Sequence, residues 1–181
     1  MKKITVLTLL SVFALSGIFF TGCKYEDGPV VSLRSKKMRF TNTWQVVEAQ
    51  LAGSDITSQY NREDFIISFD VYKDGFYSFT LRDENGNPLS RTGSNPLYSQ
   101  VERELSQDRP VFMQLVGGSG KWSFVNNMNS VQMRHELSQD SDNPVVPVLD
   151  IKELRNNRLK LTGVTEDGDD IEMTFETLER D

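Results

Sequence analysis

From Trp44 onward, apolar and polar side chains alternate along most of the chain with a period of two, the pattern of strands that bury one face. Between Asp64 and Tyr72 the residues Phe65, Ile67, Phe69 and Val71 share a face. Lys73-Asp74-Gly75 then supplies a turn, and Tyr77, Phe79 and Leu81 continue on a return strand. Asp83 to Pro88 is the next break. Further on, Lys121 to Asn126 puts Trp122 and Phe124 on one side, and Asn127 to Asn129 turns the chain. Val131, Met133, His135 and Leu137 alternate with Gln132, Arg134 and Glu136. Val145 to Leu154 is another strand, with Pro147 implying an edge position or a bulge. Asn156-Asn157 turns into Leu159, Leu161 and Gly163, and a hairpin tip centred on Asp167-Gly168 leads to Ile171, Met173 and Phe175. Short strands in successive hairpins, with no long helix between them, predict an all-β fold, either an up-and-down barrel or a sandwich.

The pattern weakens between Leu89 and Gly120. Tyr98 to Leu105 fits a strand or a short helix, Val111 to Val116 reads as a buried strand, and Gly117-Gly118-Ser119-Gly120 reads as a flexible turn or bulge. Ahead of the strands, Ser32 to Phe40 reads as a short helix with Ser32 as its N-cap and with Leu33, Met38 and Phe40 packing inward. Glu-Leu-Ser-Gln-Asp occurs at 104–108 and again at 136–140, but the flanks do not extend the match, so no repeat is assigned.

The first 23 residues carry an address. Lys2 and Lys3 precede an apolar run from Ile4 to Phe20, and Thr21-Gly22 leads into Cys23, the only cysteine. This order reads as a secretory signal ending at a lipoprotein cleavage site. The run has 17 residues, against roughly 20 for a membrane span, and Thr5, Thr8, Ser11 and Ser16 interrupt it. The expected organisation is a signal peptide over 1–22, a lipidated tether over 23–31 and one domain over 32–181. Acylation of Cys23 would hold the chain to a membrane. The remainder contains no cysteine, so the domain is expected to fold without disulfides or thiolate metal sites. Without Lys2 and Lys3, 18 basic residues face 26 acidic ones, a formal charge of −8. That balance argues against nucleic acid as a partner and fits a solvated extracytoplasmic body not laid against an anionic surface. Arg34, Lys36, Lys37 and Arg39 form a basic cluster near the anchor, read as the exposed side of the short helix rather than as a lipid contact.

Two motifs carry a resemblance. Lys24-Tyr25-Glu26-Asp27 is similar to the lysine-plus-acid signal that directs Bacteroidetes-type lipoproteins to the outer face of the outer membrane. Asn42-Thr43-Trp44 resembles the entry to a lipocalin-type barrel, with Asn42 where that family has the glycine of its Gly-X-Trp motif. The whole pattern (cysteine, charged tether, Ser-Leu-Arg-Ser-Lys-Lys, Thr-Trp, β meander) resembles lipocalin-like lipoproteins of those bacteria. The resemblance implies a single antiparallel barrel of about eight strands, holding one small ligand or filled by side chains.

Candidate chemistry is sparse. His135 is the only histidine, so His-dependent nucleophilic catalysis has no other base; by parity it faces inward, as a cavity-lining group or as a hydrogen-bonded core residue. Glu166, Asp167, Asp169 and Asp170 sit on a hairpin tip, where acids serve solubility and turn geometry. Asp83, Asn85 and Asn87 have the alternation of a calcium loop without its glycine and glutamate. Gly117 to Gly120 lacks the Lys-Ser ending of a phosphate loop. No catalytic residue, metal site or cofactor is assigned. Trp44, Phe69, Tyr77, Phe79, Trp122, Phe124 and His135 are the candidate cavity residues, which as large aromatics also suit an ordinary core. The leading expectation is a noncatalytic, membrane-anchored module for a small apolar or amphipathic ligand. The rival is an envelope interaction module with a filled barrel, meeting a protein or glycan through loops 83–97 and 138–147. An interior volume of roughly 300 Å³ or more favours the ligand, and a barrel packed solid favours the interaction module.

Overall fold

The computed structural model describes residues 34–89, 96–135 and 146–178. The signal segment, Cys23, the tether, Ser32, Leu33, Leu137 and the second Glu-Leu-Ser-Gln-Asp copy lie outside them, as do parts of both loops named above.

After helix α1 (Lys36–Phe40) come strands β1 (Thr43–Leu51), β2 (Ser54–Asp55), β3 (Ile66–Val71) and β4 (Phe76–Arg82). Helices α2 (Pro96–Gln107) and α3 (Val111–Val116) follow, then β5 (Ser119–Val125), β6 (Ser130–His135), β7 (Val148–Leu154), β8 (Arg158–Val164) and β9 (Asp170–Thr177). From β3 to β9 each strand pairs antiparallel with the next, and β1 pairs with both β3 and β9, so eight strands close into a barrel. Strand β2 is a two-residue addition on the far half of β1. The hairpins place the two ends of every strand at opposite ends of the barrel, one marked by α1 and the other by α3.

The alternation is realised as read. Ile67, Phe69 and Val71 are buried on β3, Tyr77 on β4, and Val131 and Met133 on β6. Two bulges reset the parity. On β1 the register shifts between Val46 and Glu48, so Trp44 and Val46 point inward before it and Ala49 after it, leaving Val47 and Glu48 exposed. On β7 the shift between Ile151 and Glu153 lets Leu149, Ile151 and Leu154 all be buried. Strand β7 begins just after Pro147, whose carbonyl accepts from the Met133 N–H at 3.0 Å.

Two local expectations are corrected, and one left open between strand and helix is decided. Val111–Val116 is a helix, not a strand: its buried residues are Phe112, Met113 and Val116, a spacing of one and four that only a helix puts on one side. Tyr98–Leu105 falls inside α2 and is helical. The first helix starts later than expected, at Lys36, with the Ser35 side chain accepting from the Met38 N–H at 3.1 Å. The face presented to the barrel also differs from the one expected. Met38 is 52% exposed, whereas Arg39 is buried with Phe40 and donates from Nη1 to the Leu154 carbonyl at 2.7 Å. Arg39 is therefore a structural clamp and not part of an exposed basic face.

Glycines are required at two close approaches. Gly117, at φ +79°, ends α3, and a side chain there would overlap the His135 ring. A Cβ at Gly120 would collide with the Arg134 carbonyl, which lies across the β5–β6 ladder. The stretch read as a flexible turn is thus a helix stop followed directly by a strand.

Candidate functional site

Two aromatic groups fill the barrel. At the α1 end, Phe40 packs edge-on to Trp122 with ring centroids 4.9 Å apart and reaches Phe124 at 5.4 Å. Trp44 is fully buried there, its indole N–H donated to the Phe40 carbonyl at 2.9 Å, while the Trp122 indole donates to the Tyr72 carbonyl at 3.1 Å. Toward the other end Phe69 is the hub. It lies 5.2 Å from Phe79, 5.9 Å from Phe112, 5.6 Å from Phe175 and 6.0 Å from Tyr77. Phe112 enters this group from α3, so a helix plugs the lumen. Aromatic pairs in such offset and edge-on arrangements add about 0.5–1.5 kcal/mol each beyond their buried area.

The plug is held at both ends by tyrosines. The backbone N–H of Phe112 donates to the Tyr60 hydroxyl at 2.9 Å, and the Val111 N–H donates to Gln59 Oε1 at 3.2 Å, so first-turn donors of α3 find side-chain acceptors. At the far end the Tyr77 hydroxyl donates to the Val116 carbonyl. Burial pushes both phenols well above the ordinary tyrosine range, so each stays neutral and able to donate.

The insertion of α2 and α3 parts the wall of the barrel. Strand β4 pairs with β5 only from Phe76 to Ser78, with one more bond from the Phe79 N–H to the Gly118 carbonyl at 3.0 Å. Beyond Phe79, β4 instead meets its own continuation: Arg82 bridges to Pro88, and the Leu89 N–H donates to the Leu81 carbonyl at 2.9 Å. The gap is a groove of about 450 Å³ between β4 and α2. Its floor is Ile67, Phe79, Leu81 and Met113; Tyr98 and Leu105 form the helical wall, and Glu102, Ser106 and Arg109 the polar rim. Phe65, Ile67, Val101 and Met113 pack beneath it as a small core of their own.

A buried ion pair on the outside of β3 and β4 shapes the β4 wall. Arg82 Nη2 lies 3.1 Å from both Asp70 oxygens, its Nε donates to Ser68 Oγ at 2.6 Å, and Thr80 Oγ1 donates to Asp70 Oδ2 at 2.6 Å. The remaining arm of Arg82 reaches the Gly86 carbonyl at 3.0 Å and so fixes the loop that returns the chain to Leu89. Inside that loop the Asp83 carboxylate accepts from the backbone N–H groups of Asn87 (2.8 Å) and Asn85 (2.9 Å), which hold its pKa below the ordinary aspartate value. Its oxygens close a turn, the Asx arrangement of such loops.

Of the candidate residues read from the sequence, Phe79 lines the groove. Phe69 and Tyr77 sit one layer deeper, in contact with the plug, and Trp44, Trp122 and Phe124 lie at the α1 end. His135 is half-buried against Gly117 at the end of α3. Phe112, Tyr60 and the α2 face were not singled out by sequence reasoning; the one available signal was the helical spacing of Phe112, Met113 and Val116. No protein-family model and no curated protein sequence matches the chain.

Proposed function

We propose that this chain is a noncatalytic, lipocalin-like lipoprotein, anchored at the outer membrane through acylated Cys23, that binds a small apolar or amphipathic molecule. The observation that carries the reading is the groove between β4 and α2. Its volume of about 450 Å³ lies in the range of small-molecule sites, roughly 300–1,000 Å³, and its apolar floor with a polar rim on one side matches an amphipathic occupant. The occupant sits at the parted wall rather than in the lumen, because Phe112 fills the lumen. The order of residues around Cys23 and the resemblance of the tether to an outer-membrane signal support the anchoring.

The same filled interior favours a second reading, an envelope interaction module meeting a protein or glycan through its loops. Native mass spectrometry of the chain extracted gently from its host membranes separates the two. Ligand binding predicts a lipid-sized adduct that Leu81→Arg abolishes without unfolding the barrel. A bare chain, or one carrying only a partner protein, contradicts it.

A further inference from the structure

The exposed apolar side chains are not spread evenly. Seven large ones are exposed among the described residues, and four of them, Met38 (52%), Tyr72 (48%), Phe76 (39%) and Met128 (49%), lie at the α1 end of the barrel. They come from three separate segments: α1, the β3–β4 turn and the β5–β6 turn. Met128 is held out by a turn in which Asn126, Asn127 and Met128 all adopt positive φ (52°, 55° and 66°), a conformation that a long side chain rarely takes.

Cations lie at the same end. Lys37, Lys73 and Lys121 are exposed at the same end, and Lys121 Nζ lies 5.3 Å from the Phe76 ring centroid. Of the nearby acids, Glu153 and Glu176 pair with Arg155 and Arg158, Asp150 lies 3.9 Å from Lys152, and Asp74 keeps its charge while accepting from the Phe76 N–H at 3.2 Å, so the cations outnumber the acids left to face them. The opposite end carries the exposed acids Asp55, Glu63, Asp64, Glu166, Asp167 and Asp169, which outnumber its exposed arginines Arg62, Arg103, Arg109 and Arg134. The net negative charge therefore hides a polar distribution, with the positive pole where residues preceding Arg34 join the body.

We propose that the α1 end is a docking surface for an anionic phospholipid membrane. Lys37, Lys73 and Lys121 meet headgroup phosphates, Tyr72 enters the interface, where its amphipathic ring is favoured, and Phe76 adds apolar burial at the headgroup boundary. The acidic end is repelled by the same surface, so the body stands upright with the groove-bearing end outward. Docking at this end does not depend on a ligand at the other.

The test uses the full chain reconstituted into vesicles with lipids carrying a headgroup quencher. A fluorophore is placed at the α1 end through Asp74→Cys or at the opposite end through Asp167→Cys, and the wild-type chain labelled in parallel measures any signal from Cys23. With phosphatidylglycerol present, the label at 74 is quenched and the label at 167 is not. Replacing phosphatidylglycerol by phosphatidylcholine removes the difference. Lys37→Gln, Lys73→Gln and Lys121→Gln each lower the docked-to-undocked ratio about fivefold, as expected for basic residues near an anionic surface. Tyr72→Ser with Phe76→Ser lowers it further with the lysines intact. Equal quenching at both ends, quenching independent of lipid charge, or no quenching at 74 would overturn the docking surface.

Discussion

The two ends of the barrel are closed by segments of very different sequence separation. At the α1 end, the closing residue Phe40 precedes Trp44 by four positions and bonds to it directly. At the other end, Phe112 is anchored to Tyr60 across 52 positions, and Tyr77 reaches Val116 across 39. A closure contiguous with the first strand forms with that strand. A closure delivered from an insertion must first bring distant segments together, and the entropy of that larger loop opposes it. The insertion also has to leave through the wall, and that exit is what separates β4 from β5. The lesson is that the groove follows from the plug: a barrel closed locally at both ends would have an unbroken wall.

The largest way to break the contrast is to truncate a plug residue at each end. Phe112→Ala and Phe40→Ala should each destabilise the fold by about 3–5 kcal/mol in chemical denaturation. Only Phe112→Ala should alter ligand size preference, because the void it leaves adjoins Phe79 in the groove floor. Equal effects of both variants on binding would erase the distinction between the ends. Tyr77→Phe comes next. Removing the hydroxyl leaves the buried Val116 carbonyl without its donor, a loss of about 1–3 kcal/mol. Hydrogen exchange should then speed in α3 before β7–β9. At the α1 end, Ser35→Ala removes the N-cap and should cost about 1 kcal/mol, with amide exchange rising in α1 alone.

The smallest effect expected is one of pH. Because folding depresses the Asp83 pKa, its contribution to loop order is present above the unfolded aspartate value. It is lost as pH falls through the depressed value. Amide protons of Asn85 and Asn87 should therefore lose protection below the ordinary aspartate range, while those of the β1–β9 ladder do not. Asp83→Asn should flatten that dependence.

Much of the barrel was legible because burial on one face leaves a period-two record: Phe65, Ile67, Phe69 and Val71 declared their face, as did Val131 and Met133. The bulges were not legible. Two exposed residues in a row at Val47 and Glu48 look like an interruption until the β9 partner fixes the register. The α3 plug was misread because a six-residue segment, apolar except for Gln114, has no period long enough to separate helix from strand. The buried face of α1 was missed for a related reason, since a five-residue helix is too short for its period to show that Arg39 rather than Met38 packs beside Phe40. The groove itself left little trace, because Leu81, Tyr98 and Leu105 acquire a common purpose only when α2 is laid against β4.

The most direct measurement is a methyl-resolved NMR titration with a medium-chain fatty acid. Saturable shifts confined to Ile67, Leu81, Leu105 and Met113, with Val46, Leu154 and Leu159 unmoved, are the predicted result. Shifts centred on the lumen at the α1 end, or no saturable shift anywhere, would contradict a barrel whose binding surface is the wall its own plug has opened.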